Sequence, residues 1–414
     1  MTFLYNIAVF LYRLGIGAAA FFNPKAAAWI AGRKNLCAKV RRFRQENPAR
    51  LIWLHCASLG EFEQGRPVAE GLKSQHPAAL IVITFYSPSG YEIRKNYAGA
   101  DAVFYLPLDT RRRVRAFISA LQPDAVIFVK YEFWYHHLQE LRERNIPVLL
   151  ISAVFRRRQI FFRWYGGLHR RMLHCFTHLF VQDKLSLQNL QSLNIQSITV
   201  AGDTRIDRAL THVTRAAPIP VAEKFAAGEQ VLVCGSTWPP EETMLTEIMQ
   251  REELRHWKFI IAPHEIGEGH LAEIEQKLPV SPVRFSQAEE SDLGAARVLL
   301  IDNIGMLSSL YRYGAAAFIG GGFGAGIHNT LEPAAWAVPV IFGPKYEKFP
   351  EAVAMSERGG GFAITNAEEL AALLIRFADA EERQKSGRRA KEYLTENAGG
   401  SAVILQYLRK ILRD

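Results

Sequence analysis

Apolar residues along the chain gather in short unbroken runs, separated by amphipathic or polar stretches. From Leu51 the runs are LIWLHC, ALIVITFY, AVFYLP, AVIFVK, PVLLISAVF, THLFVQ and SITVAGD, and EFEQGRPVAEGLKSQ between the first two reads as a helix. Continuous apolar runs alternating with helices predict parallel strands covered on both faces. Composition changes at residues 216–220 (AAPIP), and the alternation then restarts with QVLVCGS, KFIIAPHE, PVRF, ARVLLID, AAAFIGG and PVIFG. The tail from Ala367 reads as helix, with Gly399 and Gly400 between two amphipathic stretches. The pattern predicts two doubly wound α/β domains, at 46–215 and 216–395, and a terminal helix at 396–414. In such folds ligands sit at the carboxyl ends of strands, so two Rossmann-like domains facing a cleft are expected.

Residues 3–22 break the pattern. They are almost wholly apolar apart from Asn6 and Arg13. The length is near the ~20 residues needed to span a bilayer. No basic stretch precedes the segment and no small-residue cleavage site follows, which disfavours a cleaved signal. Lys25, Arg33, Lys34, Lys39, Arg41, Arg42 and Arg44 come next. By the positive-inside rule they hold the rest of the chain on the cytoplasmic side. Arg13 in mid-segment leaves a helix lying in the interface as the rival to a spanning one. Residues 1–24 are therefore expected to form a membrane-associated helix.

Composition narrows the field. The 414 residues are 49% hydrophobic and 22% charged, enough for two cores and against disorder. A net charge of +9 favours an anionic partner: nucleic acid, an acidic membrane face or a phosphorylated substrate. The basic runs RRRVR at 111–115, RRR at 156–158 and the pair Arg170–Arg171 all fall in the first half. With an apolar N-terminal segment they suit a phosphorylated lipid surface, though solvated faces are the default. Four scattered cysteines form no CxxC pair, and no HExxH is present. No metal site is expected, and the His174/His178 spacing lacks a third ligand. The sequence has no GxxxxGK[ST] and no GxGxxG, which excludes a P-loop and argues against hydride chemistry.

Candidate chemistry lies at strand ends. Residues 315–344 (AAAFIGGGFGAGIHNTLEPAAWAVPVIFGP) carry Gly320, Gly321, Gly322, Gly324 and Gly326 in one turn, then a short helix opening near residues 328–332. The glycines would let something approach the backbone, and a helix N-terminus suits a phosphate. Ser58-x-x-Glu61 follows LIWLHC and reads as a capping box, with Glu61 as a general base the alternative. Lys130 and Glu132 end AVIFVK among aromatics, and Asp203 and Arg205 follow SITVA; each has an ion pair or a cap as its plainer reading. Gly235-Ser236-Thr237, Pro263-His264 and Ile304-Gly305-Met306 end strands of the second half. Such a convergence of polar loops suggests a ligand site.

In chain order HCASLGE, TFYSPSGYE, YLPLDT, KYEFW, GDTRID, GSTW, APHE and HNTLEPAAWAVPVIFGP resemble the 3-deoxy-D-manno-octulosonic acid (Kdo) transferases over nearly the whole chain. The resemblance implies a GT-B fold and a metal-independent, inverting enzyme with no cofactor. It also implies a CMP-Kdo donor, a lipid A precursor as acceptor, the cytoplasmic side of the inner membrane, and no nucleic acid. By residue it implies Glu61 as general base, Glu132 and Arg205 as stabilising groups, and Ser58, Gly60 and Lys130 in substrate binding. It further implies Pro263, His264, Ile304, Gly305, Met306, Asn329, Thr330, Leu331 and Glu332 at CMP. Arg205 stands where the family commonly has Lys, and Ala-Pro-His-Glu stands where many members have Ala-Pro-Arg-His. The alternatives are another GT-B transferase using a UDP-sugar, or a non-catalytic module docking on anionic lipid.

Overall fold

The computed structural model describes residues 2–290 and 292–412. It divides into two units: one runs to Asp207 and takes the chain back from Ala398, and the other is Arg208–Asn397. The division falls inside the helix Thr204–Arg215, ahead of the AAPIP stretch, because that helix continues without a break. The C-terminal helix Gly400–Ile411 is part of the first unit. Residues 413 and 414 of the expected helix lie outside the described residues.

The first unit holds strands β1 (Leu51–Cys56), β2 (Leu80–Phe85), β3 (Ala102–Tyr105), β4 (Ala125–Val129), β5 (Val148–Ala153), β6 (His178–Val181) and β7 (Ile198–Val200). All are parallel, in the order β3-β2-β1-β4-β5-β6-β7. Alternate side chains along each strand enter opposite cores. Trp53, Val82, Val126, Phe128 and Leu150 join one core, and Ile52, Leu54, Ile83, Ile127 and Val129 the other. β1, β2, β4 and β5 are buried at every position, which is why they read as unbroken apolar runs. The helices needed below are α1 (Thr2–Ala19), α2 (Pro24–Ala31), α3 (Leu36–Glu46), α4 (Leu59–Gln75), α5 (Pro88–Arg94), α6 (Arg111–Leu121) and α7 (Tyr135–Glu143). The C-terminal helix adds Ile404, Leu405 and Leu408 to the second core. It packs so closely on α4 that a Cβ at Gly71 would meet Leu405. The Asp207 carboxylate fastens its start, accepting from the backbone N–H groups of Gly399 and Ser401 at 2.6 Å each.

The second unit holds β8 (Gln230–Thr237), β9 (Trp257–Pro263), β10 (Val283–Arg284), β11 (Val298–Leu300), β12 (Ala316–Ile319), β13 (Val340–Phe342) and β14 (Gly361–Ala363). They too are parallel, in the order β10-β11-β9-β8-β12-β13-β14. β14 is absent from the sequence reading, since three residues opened by a glycine give no apolar run.

α1 lies along the first unit rather than apart from it. Tyr5, Val9 and Ile16, spaced four and then seven residues apart, turn inward around Trp29 and Leu108. The Tyr5 hydroxyl donates to Asp109, and the Asn6 side-chain oxygen meets His136 Nε2 at 2.7 Å. Phe3, Leu4, Phe10, Leu11 and Leu14 remain exposed, and Phe22 is 93% exposed. Arg33 departs from its expected role as a surface charge of the basic flank. Its guanidinium lies 3.8 Å over the Trp29 ring and donates to the carbonyls of Leu106 (2.7 Å) and Tyr86 (2.8 Å). Burial draws its pKa down to about 10. The basic runs divide likewise. Arg156 pairs with Asp183 at 2.8 Å and Arg170 ties down carbonyls of Phe161 and Arg163, whereas Arg111, Arg112 and Arg113 are exposed.

Candidate active site

In a doubly wound sheet the crevice opens where the strand order reverses. In the first unit β1 has β2 on one side and β4 on the other. The loops leaving β1 and β4 carry Glu61 and Glu132, so topology brings together two carboxylates 71 positions apart in sequence. Glu61 stands in the first turn of α4. Its Oε2 accepts from the N–H groups of Ala57 (2.5 Å) and Ser58 (3.3 Å), the reach-back half of a capping box. Among the described residues its Oε1 carries no hydrogen bond. Burial first, and then the nearby Glu132 charge, push the Glu61 pKa up to about 7 against the pull of those N–H groups and of His55. The ionisable groups around it are Glu132, His55, the Cys56 thiol and the Tyr131 hydroxyl.

Glu132 is buried. The chain reaches it through Lys130, whose φ of +64° turns the backbone sharply as it leaves β4. Both of its donors converge on Oε2: His55 Nε2 at 2.8 Å and Trp134 Nε1 at 2.6 Å. The other end of the His55 ring meets Thr84 twice. Its Nδ1 lies 2.8 Å from Thr84 Oγ1, which also accepts from Trp53 Nε1 at 2.8 Å, and 3.1 Å from the Thr84 carbonyl oxygen. His55 donates from Nε2 to the carboxylate. A relay of Trp53, Thr84 and His55 thus holds Glu132 through the core of the sheet. His55, Thr84 and Trp134 have no site role in the sequence reading. A His inside LIWLHC looks like any core residue until its partner across the strands is known.

Ser58 precedes α4, Gly60 is exposed in its first turn, and Lys130 is half-buried next to Tyr131. Arg205 opens the helix Thr204–Arg215 and forks onto Asp203, with Nε at 2.9 Å and Nη2 at 2.5 Å. The plainer reading, a cap at Asp203 and a separate surface arginine, thus gives way to an ion pair between the two.

In the second unit the strand order turns at β8, which lies between β9 and β12. Trp238, His264 and His328 follow those three strands and stack in one column. Ring centroids are 4.5 Å apart for Trp238–His264 and 4.6 Å for His264–His328. Trp238 Nε1 donates to His328 Nε2 at 3.0 Å, so that nitrogen is unprotonated. Burial, then the neighbouring His264, lower the His328 pKa to about 4. His264 is the exposed member. Glu241, fully buried, accepts from Trp238 N–H (3.1 Å) and from Gly321 N–H (2.8 Å), tying the column to the glycine turn.

The glycines serve a different approach from the one expected. A Cβ on Gly320 would lie 2.1 Å from the Ser236 carbonyl oxygen, and one on Gly322 2.5 Å from the Gly343 nitrogen. Gly321, at φ +87°, would meet the Gly326 carbonyl oxygen at 2.5 Å. These are contacts of backbone with backbone inside the unit; only at Gly324 is there room. The helix after the turn is also short, Leu331–Ala335, too few turns for a substantial dipole. Asn329 Oδ1 accepts from Leu331 N–H at 3.1 Å, and Glu332 is half-buried in the helix's first turn. Thr330 Oγ1 and Asn303 Oδ1 are buried without a hydrogen-bond partner, and next to Asn303 the Ile304 side chain is 88% exposed. Pro263 ends β9, while Gly305 (φ +109°) and Met306 complete the loop after Ile304.

Residues 34–208 match the family model described as 3-deoxy-D-manno-octulosonic-acid transferase (kdotransferase). That match spans most of the first unit. Curated relatives extend the likeness over most of the chain. The 3-deoxy-D-manno-octulosonic acid transferase of Aquifex aeolicus is 25% identical over 368 residues, covering 87% of this chain and 94% of its own. That of Haemophilus influenzae is 26% identical over 382 residues, 88% of each. Among solved structures, the S. aureus MnaA–UDP co-structure superposes with a TM-score of 0.58 at 14% identity, covering 88% of this chain and 97% of that one. That likeness is one of fold, and it puts the two seven-stranded units in the GT-B fold class.

Proposed function

We propose that the protein transfers Kdo from CMP-Kdo to the lipid A precursor lipid IVA, with inversion and without a metal ion. Glu61 takes the proton of the glucosamine 6′-hydroxyl through its uncommitted Oε1. The freed oxygen forms a bond to the anomeric carbon of Kdo, the bond from that carbon to the phosphate breaks, and CMP leaves with the electron pair. Glu132 and Arg205 orient the reactants and offset developing charge, with Ser58, Gly60 and Lys130 at the acceptor. The observation that carries this reading is Glu61: a carboxyl at the switch point with one open oxygen and a pKa near 7 has the affinity a general base needs at neutral pH.

The donor belongs to the second unit. The Trp238–His264–His328 column offers a stacking face, and the unpartnered Thr330 hydroxyl and Asn303 carbonyl offer polar contacts to a nucleotide. Pro263, His264, Ile304, Gly305, Met306, Asn329, Thr330, Leu331 and Glu332 line that site in this reading. For the membrane we favour an interfacial α1 over a spanning one. Its Tyr5 and Asn6 face is held by Asp109 and His136, and its exposed apolar face is left for the lipid boundary at the cytoplasmic side of the inner membrane.

The test is incubation of the purified protein with CMP-Kdo and lipid IVA, read by mass spectrometry. A mass gain of Kdo units is expected with the native chain and none with Glu61→Gln. Transfer by a folded Glu61→Gln variant at the native rate would refute the base assignment. Protection against thermal unfolding by UDP and not by CMP would refute the donor.

A further inference from the structure

The hold on Glu132 does not end at Trp134. The Trp134 indole stacks on Tyr86, ring centroids 4.6 Å apart and planes 29° from parallel. Tyr86 follows β2, two positions beyond the Thr84 that anchors His55, and its ring meets the N-terminal helices. Trp29 of α2 packs edge-on at 5.7 Å and Tyr12 of α1 lies at 6.3 Å. Arg33 fastens this cluster, with its guanidinium over Trp29 and its Nη2 on the Tyr86 carbonyl. A second tie enters just after Trp134. Asp109, which receives the Tyr5 hydroxyl of α1, accepts the backbone N–H groups of His136 and His137 at 3.0 Å each, and Tyr135 N–H donates to Tyr5 at 3.3 Å. The segment carrying Glu132 and Trp134 is therefore gripped at two points by α1 and α2, and neither point is needed to close the sheet.

We propose that Trp134 and Tyr86 are positioning residues for Glu132 that couple its orientation to the seating of the N-terminal helical pair. The proposal rests on the reading of Glu61 and Glu132 as the acceptor-side carboxylates. Two donors on one oxygen define the rotation of the Glu132 carboxylate. Losing the indole donor or its stacking partner frees that rotation and weakens the support for the anion. The Glu132 charge is then no longer held in place beside Glu61, and Glu61 meets less of it.

The sign follows for Glu61, while His55, the other group acting on it, stays in place. Its midpoint should fall below about 7 when Trp134 or Tyr86 is disabled. Full-length protein labelled with carboxyl-¹³C glutamate reports this directly, the Glu61 signal being assigned by its absence from Glu61→Gln. Trp134→Phe keeps the stack and removes the N–H; Tyr86→Leu removes the stack. Both should lower the Glu61 midpoint, Tyr12→Leu should lower it less, and Tyr86→Phe should leave it unchanged. In transfer assays Trp134→Phe should reduce kcat ~10-fold with the KM for CMP-Kdo unaltered. An unchanged midpoint in folded Trp134→Phe and Tyr86→Leu overturns the proposal; an unchanged midpoint in Tyr12→Leu alone overturns the coupling to the helices. The titration needs no donor sugar. A native chain that shows these shifts but makes no Kdo product would refute the transferase reading and uphold the coupling.

Discussion

Glu61 holds two positions at once. One oxygen closes the first turn of α4, and the other stays open, so the carboxyl is fixed without being used up. Its raised pKa sets the pH behaviour. As the proposed base Glu61 is competent only when ionised, so transfer should fall as pH drops through about 7, and Glu132→Gln should move that limb to lower pH. A pH–rate series on both proteins checks the direction. Stability runs the other way. A carboxyl whose folded pKa lies above the unfolded value of 4.5 contributes fully below 4.5 and loses that contribution as pH rises through about 7. Glu61→Gln, neutral and able to keep the cap, should therefore melt no lower than the native chain at pH 8 while transfer falls ~10²–10⁴-fold. Melting curves at pH 5 and pH 8 measure it. Glu61 and its cap were legible from Ser58-x-x-Glu61 alone. Its partners were not: His55 and Thr84 sit in buried strands where every position looks like core, and the Trp134 indole bond depends on a rotamer.

At the scale of elements, burial decides what the sequence reveals. Strands covered on both faces, such as β1 and β4, announce themselves as apolar runs, whereas β14 is too short and glycine-led to do so. The glycine turn shows the opposite failure. Glycine marks a close approach but does not name the approaching group, and here it is the backbone at Ser236, Gly326 and Gly343. Gly322→Ala should then cost about 1–3 kcal/mol or more, because neither backbone can yield, while Gly324→Ala should be nearly neutral. Urea midpoints of the two variants separate the packing role from a ligand role, which would instead leave stability intact and weaken CMP binding.

For the whole molecule, the apolar N-terminal segment was plain in the sequence, but its attachment was not. Asn6 read as a blemish in a spanning helix, whereas it and Tyr5 are the points by which α1 is held to its unit. An apolar outer face without an apolar partner suits a bilayer surface. Leu11→Asp and Leu14→Asp, both exposed, should each weaken partition to anionic vesicles roughly tenfold or more, since burying a leucine is worth about 1.5–3 kcal/mol. The melting temperature should hardly change. Vesicle flotation with parallel melting curves tests this, and strong loss of stability would mean that the face is covered by protein.

The Asp207 carboxylate, bonded to Gly399 and Ser401, has a consequence for how such a chain can be assembled. The chain leaves the first unit at a point held against the point where it returns. Everything between is topologically an insert, bounded by two neighbouring ends. Joining residues 207 and 398 through a few glycines should leave a self-contained seven-stranded unit, provided Asp207 is kept. By the same logic another module with adjacent termini could be exchanged at this one seam; under the proposed function that would change the donor while leaving Glu61 and Glu132 untouched.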